Sequence, residues 1–109
     1  MAIEQPKDYF EREMLEKIAD DPSKVAGFEG VLQFNITGDA GGKWYAHISG
    51  GKAEVKEGEH ASPSIQVTMK DKDFVNFING KLSGQMAFMT GKLKFKGDMS
   101  MAMKLQKLL

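Results

Sequence analysis

The sequence predicts an α+β domain: one mainly antiparallel sheet with helices gathered over one face. Three observations carry that reading. Apolar residues recur every four positions near the start, alternate every second position through the middle, and return to helical spacing after residue 70. The 109 residues are enough for one domain with a real core, taken here as 1–109.

The first helix is expected over 6–21. Pro6 suits a first turn, and Phe10, Met14 and Ile18 form a stripe flanked by Leu15 and Ala19. Glu11, Arg12, Glu13 and Glu16 point away from it, and Asp20-Asp21-Pro22 stops the helix. From Phe28 the period becomes two, with Leu32, Phe34 and Ile36 inward and Gln33, Asn35 and Thr37 outward. A glycine-rich turn over 38–42 leads to a second strand over 44–49, with Tyr45, His47 and Ser49 on its polar side. A short strand over 52–56 turns only Ala53 and Val55 inward. After a turn over 58–63, a fourth strand over 64–69 points Ile65, Val67 and Met69 inward. Short connections predict that these four strands form an antiparallel meander.

The period then switches back. Asp71 is the expected cap of a helix bearing Phe74, Val75, Phe77 and Ile78, closed by Asn79-Gly80. A short helix over 83–90 should place Met86, Ala87 and Met89 inside. A fifth strand follows, with Leu93 and Phe95 inward and Lys92, Lys94 and Lys96 outward. Gly97 breaks it, and Asp98 is the expected cap of a terminal helix. There Ser100, Lys104 and Lys107 make a narrow polar stripe opposite Met99, Met101, Ala102, Leu105, Leu108 and Leu109. So apolar a helix must cover something.

Net charge is zero, so nothing global suggests nucleic acid. The charge is polarised all the same. Residues 1–30 hold eight acids and four bases, whereas residues 81–109 hold six lysines and only Asp98. A basic surface of that kind suits anionic headgroups, although a lysine run can simply solvate an edge. The chain has no cysteine, which removes disulfides and thiol chemistry. His47 and His60 fall in no metal-spaced or nucleophile pattern, so no catalytic residue, metal or cofactor is expected. The first residues hold no basic region with an apolar run, and no segment approaches a membrane span. A cytoplasmic, non-enzymatic domain is the expectation. Six of the eight methionines lie between Met69 and Met103. Their flexible thioethers suit either core gaps or a surface that repacks around different guests.

Several stretches resemble the sterol carrier protein 2 domain. They are Val67-Thr68-Met69, Asp73-Phe74, Gly80-Lys81-Leu82, and above all Ala87 to Met99 followed by Ala102-Met103-Lys104-Leu105-Gln106. The resemblance implies a non-catalytic carrier whose five-stranded, mainly antiparallel sheet and overlying helices enclose an apolar cavity. Fatty acids, fatty acyl-coenzyme A, phospholipids or sterols are the ligands it implies, with transient membrane contact and a monomer or weak dimer. Candidate lipid-binding residues are Phe34, Phe74, Phe77, Ile78, Met86, Met89 and Phe95. In the terminal helix they are Met99, Ala102, Met103 and Leu105, with Gln106 near a headgroup. The chain ends Gln106-Lys107-Leu108-Leu109, not in a Ser-Lys-Leu peroxisomal signal, which agrees with a cytoplasmic location. An empty apolar cavity of about 300 Å³ would cost roughly 7 kcal/mol, so residues 98–109 are expected to act as a lid. The alternative is an interaction module whose terminal helix is buried in a homodimer or against a partner enzyme.

Overall fold

The computed structural model describes residues 3–21, 23 and 28–97. The N-terminal helical run consists of α1 (Pro6–Asp8), a π-helical turn (Tyr9–Glu13) and α2 (Met14–Asp20). Strands β1 (Gly30–Thr37), β2 (Gly42–Ser49), β3 (Lys52–Glu57) and β4 (Ile65–Lys70) follow. Two short helices, α3 (Asp71–Ile78) and α4 (Gly84–Met89), precede the edge strand β5 (Leu93–Gly97). The expected terminal helix, with its Asp98 cap, lies outside the described residues.

The five strands form one sheet in the order β3-β2-β1-β4-β5. Three of its pairings are antiparallel, but β1 and β4 run parallel, with Leu32 opposite Ile65 and Phe34 opposite Val67. The antiparallel meander expected for the first four strands is therefore corrected. Residues 58–64 cross the outer face of β2 and β1 and bring β4 to the far side of β1. Alternation reports which face a side chain takes and is blind to this choice of neighbour.

Gln33 explains why the crossing holds. Expected outward on a wet face, it is instead buried, because the crossing segment covers it. Its Nε2 donates to the carbonyls of Trp44 (3.2 Å) and Gly58 (3.1 Å), and its Oε1 accepts from the His60 N–H (2.8 Å). Such an amide is tolerated in the interior because both its ends are occupied.

The inner face follows the predicted alternation. Leu32, Phe34, Ile36, Trp44, Ala46, Ile48, Ile65, Val67 and Met69 are all buried, and Ala53, Val55, Leu93 and Phe95 are half-buried toward the two edges. The N-terminal stripe needs a correction. Tyr9 is fully buried beside Phe10, whereas Leu15 and Ala19 are exposed. The cause is the π turn, in which the Met14 N–H donates to the Tyr9 carbonyl five residues back. The widened turn advances the helix phase and presents Tyr9, Phe10 and Met14 to the sheet together.

Asp71 differs by one position from its expected role. Lys70 is the cap residue and Asp71 the first of the helix. Its carboxylate accepts from its neighbour, the Lys72 N–H (2.8 Å), and from the Ala40 N–H in the β1–β2 turn (3.0 Å). Gly38 makes room for this tie, since a Cβ there would lie 2.5 Å from Asp71 Oδ1. Asn79 closes the other end of α3. It accepts from the Ile3 N–H (2.8 Å) and donates to the Ile3 carbonyl (2.9 Å).

The two N–H donors, Ala40 first, hold the Asp71 carboxyl below the usual range. The sign follows: a lowered native pKa contributes stability that is present above about pH 4 and lost as the pH falls through the native value. Thermal melts of the Asp71→Asn variant should differ most from the unaltered protein at neutral pH. The gap should narrow in acid, and a gap independent of pH would refute this role.

Candidate functional site

An aromatic cluster fills the space between the N-terminal run, the centre of the sheet and α3. Phe10 is stacked between Trp44 (4.7 Å between centroids, 13° between planes) and Phe74 (5.2 Å, 17°). Phe34 tilts against Phe10 at 4.9 Å, and Tyr9 meets Phe10 and Phe74 edge-on. Rings at these spacings gain stabilisation beyond the area they bury.

Two polar atoms inside this cluster stand out. Among the described residues, Tyr9 Oη and Trp44 Nε1 are buried with no hydrogen-bond partner. Burial, and after it the Glu13 carboxylate, push the Tyr9 phenol far above its ordinary range, so it stays a neutral donor at any physiological pH. An unmet buried donor costs about 1–3 kcal/mol, so each would gain from a ligand oxygen brought within reach. Sequence reasoning missed both. The adjacent pair Tyr9-Phe10 breaks a four-residue stripe, and Trp44 reads as one more inward residue of β2.

The core is looser toward α3, α4 and β5. Phe77, Ile78, Leu82, Leu93 and Phe95 are half-buried against it, making an apolar margin at one edge of the sheet. Phe88 stands 6.1 Å from Phe95, ring to ring. The helix α4 is capped by Ser83, whose Oγ accepts from the Met86 N–H. It buries only Ala87, and Gly84 lies so close to Phe77 that a Cβ would meet the ring at 3.2 Å. Met86 and Met89, expected inside, are exposed. The small Ala87 is the buried residue, and both methionines fall on the other side of so short a helix.

The sequence-derived lipid-binding residues therefore separate. Phe34 and Phe74 are spent in the ring cluster, Phe77, Ile78 and Phe95 line the apolar margin, and Met86 and Met89 face outward. Met99, Ala102, Met103, Leu105 and Gln106 lie outside the described residues, as does the expected lid. Leu82 and Leu93 join the margin although neither was singled out. Leu93 was legible from alternation alone.

The outer face is polar. An open groove there is lined by Gln33, Glu59, His60, Ala61, Pro63 and Gln66. His60 is half-buried in the turn after β3. Its Nδ1 accepts from the Ser62 N–H (3.0 Å), and its ring meets Tyr45 edge-on at 5.2 Å. His47 is exposed across the strand from Glu54. Among the described residues no cluster of His, Asp and Glu is arranged to hold a metal, and no helix is long and apolar enough to cross a membrane.

A single mixed sheet, helices on one face and an apolar margin at one edge define the class to which the comparisons point. The family model for the SCP-2 sterol transfer family matches residues 11–109, and the chain belongs to that family. It is similar to the sterol carrier protein domain 2 of Helicoverpa armigera, whose solution structure it matches at 31% identity and a TM-score of 0.78. That match covers 99% of this chain and 91% of the other. The crystal structure of Sterol Carrier Protein 2 Like 2 from Aedes aegypti matches at 25% identity and a TM-score of 0.77, over 94% of each chain. The curated hydroxysteroid dehydrogenase-like protein 2 of Xenopus tropicalis is 40% identical over 82 residues, 74% of this chain and 20% of that protein. The chain thus spans about a fifth of the length of that relative.

Removing the Tyr9 hydroxyl removes an unmet donor and leaves the ring cluster in place. The Tyr9→Phe variant should be as stable as the unaltered protein, or more stable by about 1–3 kcal/mol, in urea unfolding. A loss of stability would mean that the hydroxyl has a partner.

Proposed function

We propose that the domain is a non-catalytic lipid carrier that takes a fatty acyl chain or a comparable apolar ligand along the margin formed by Phe77, Ile78, Leu82, Leu93 and Phe95. Membership of the sterol transfer family supports this, and the observation that carries it is the one-sided apolar margin beside a tightly stacked aromatic core. Half-buried side chains still have contact surface to give a ligand, whereas the ring cluster has already used its own. At about 0.8 kcal/mol for each CH₂ removed from water, a sixteen-carbon chain offers roughly 12 kcal/mol before association costs of a similar order. The net is a reversible affinity, as carriage and release require.

The polarised charge supports transient contact with membranes during uptake or delivery. In a longer protein of the hydroxysteroid dehydrogenase-like kind, the same domain would hold lipid beside a neighbouring domain. A second reading, an interface between two copies of the chain, draws on the exposed Phe88 and Met89. The terminal helix first expected to fill such an interface lies outside the described residues.

Native mass spectrometry of the purified protein should show a monomer carrying lipid adducts, together with saturable uptake of a fluorescent fatty acid. The Phe95→Ala variant should weaken that uptake about tenfold with its fold intact by circular dichroism. A lipid-free dimer that takes up no fatty acid would overturn the proposal.

A further inference from the structure

The helix α4 leaves an unusual surface. Phe88 is 50% exposed, Met86 53% and Met89 70%, the three sharing one short turn. Scattered apolar residues on a surface need no explanation, but a contiguous group at a helix tip does. What surrounds the group identifies its partner. From Phe74 to Gly97 the sequence has no Asp or Glu, while Lys81, Lys92, Lys94 and Lys96 are all exposed. Lys81 and Lys92 bracket α4 in the chain, whereas Lys94 and Lys96 stand on the outer face of β5, the edge strand whose inner side meets α4. On the N-terminal run, by contrast, Glu11, Glu16 and Asp20 are exposed.

The backbone of α4 is also prepared for a low-dielectric surrounding. Ser83 Oγ accepts from the Met86 N–H. The Thr90 hydroxyl donates to the Met86 carbonyl (2.7 Å), Lys92 N–H to Ala87 (2.8 Å) and Gly91 N–H to Phe88 (3.2 Å). The carbonyls of Met86, Ala87 and Phe88 thus keep donors without water, which lowers the penalty for sinking this turn among lipid headgroups. An apolar tip with a basic rim is the pattern of an element that lies in a membrane interface.

We propose that the α4 turn, with Lys81 and Lys92 beside it, is the surface by which the protein docks on anionic lipid bilayers. Met89 and Phe88 enter the headgroup region and the lysines pair with the phosphate layer. The apolar margin lined by Phe77 and Phe95 adjoins this turn, so docking would bring it next to the lipid to be taken up or released. The inference rests on the lipid-carrier reading and assigns that reading its membrane face.

Sedimentation with phosphatidylcholine vesicles containing 30% phosphatidylserine tests it, at two salt concentrations, with fluorescent fatty-acid uptake measured in parallel. The unaltered protein should co-sediment with the mixed vesicles, more weakly in high salt and less with phosphatidylcholine alone. Lys81→Glu/Lys92→Glu and, separately, Met89→Asp should each lower partitioning by about tenfold or more. Lys52→Glu on the opposite edge should leave it unchanged, and the double lysine variant should retain fatty-acid uptake. Co-sedimentation unaffected by these α4 substitutions would overturn the docking face. So would fatty-acid uptake with no vesicle binding, which leaves the carrier reading standing. A dimer in sedimentation velocity that Met89→Asp dissociates would assign the face to a second copy and overturn the proposal. Loss of both uptake and vesicle binding in the unaltered protein would reject the carrier reading itself.

Discussion

Phe10 lies between the indole of Trp44 and the ring of Phe74, and that stack joins three parts of the fold that are far apart in sequence. Trp44 belongs to β2, Phe74 to α3 and Phe10 to the N-terminal helical run. The π turn delivers Phe10 to this point without losing Tyr9 or Met14 from the interface. Two further ties fix the pieces around the stack. Asp71 holds the start of α3 to the β1–β2 turn, and Asn79 holds its end to the backbone of Ile3. The helices have little choice of angle once these contacts form, because interiors packed at this density tolerate little displacement.

That concentration of rings gives the sheet two unlike halves. Over β2, β1 and the near side of β4 the interior is closed by aromatic side chains. Toward β5 it thins to half-buried aliphatic and aromatic groups under α3 and α4. A domain that must accept and surrender an apolar guest gains from this division, since one half supplies stability while the other keeps contact area to offer. The two orphaned donors within the closed half sharpen the point. Tyr9 Oη and Trp44 Nε1 reduce stability as they stand, and stability given up at buried polar groups often accompanies a site.

Much of the fold was legible in the sequence because most of its signal is alternation. Leu32, Phe34 and Ile36, then Ile65, Val67 and Met69, occupy the inward positions their spacing gives them, and Ser83 and Thr90 bound α4 as their chemistry suggests. What escaped is what alternation cannot encode. The parallel pairing of β1 with β4 depends on Gln33 being covered by a segment some twenty-five residues later, with Gly58 its first acceptor there. The burial of Tyr9 depends on one widened turn. At the site, Phe77, Ile78 and Phe95 were legible as apolar faces, but periodicity could not separate a half-buried margin from a filled core. It placed Met86 and Met89 inside because it could not weigh Ala87 as the one buried residue of a six-residue helix.

Where the guest sits is the claim on which the rest depends. The most direct test is an isotope-filtered NMR experiment recording contacts between a carbon-13-labelled fatty acid and the side chains of the bound protein. Contacts from the acyl chain to Phe77, Ile78, Leu93 and Phe95, with the Phe10–Trp44 stack undisturbed, are the predicted result. An acyl chain in contact with the polar groove at His60 and Gln66, or one that separates Phe10 from Trp44, would contradict it.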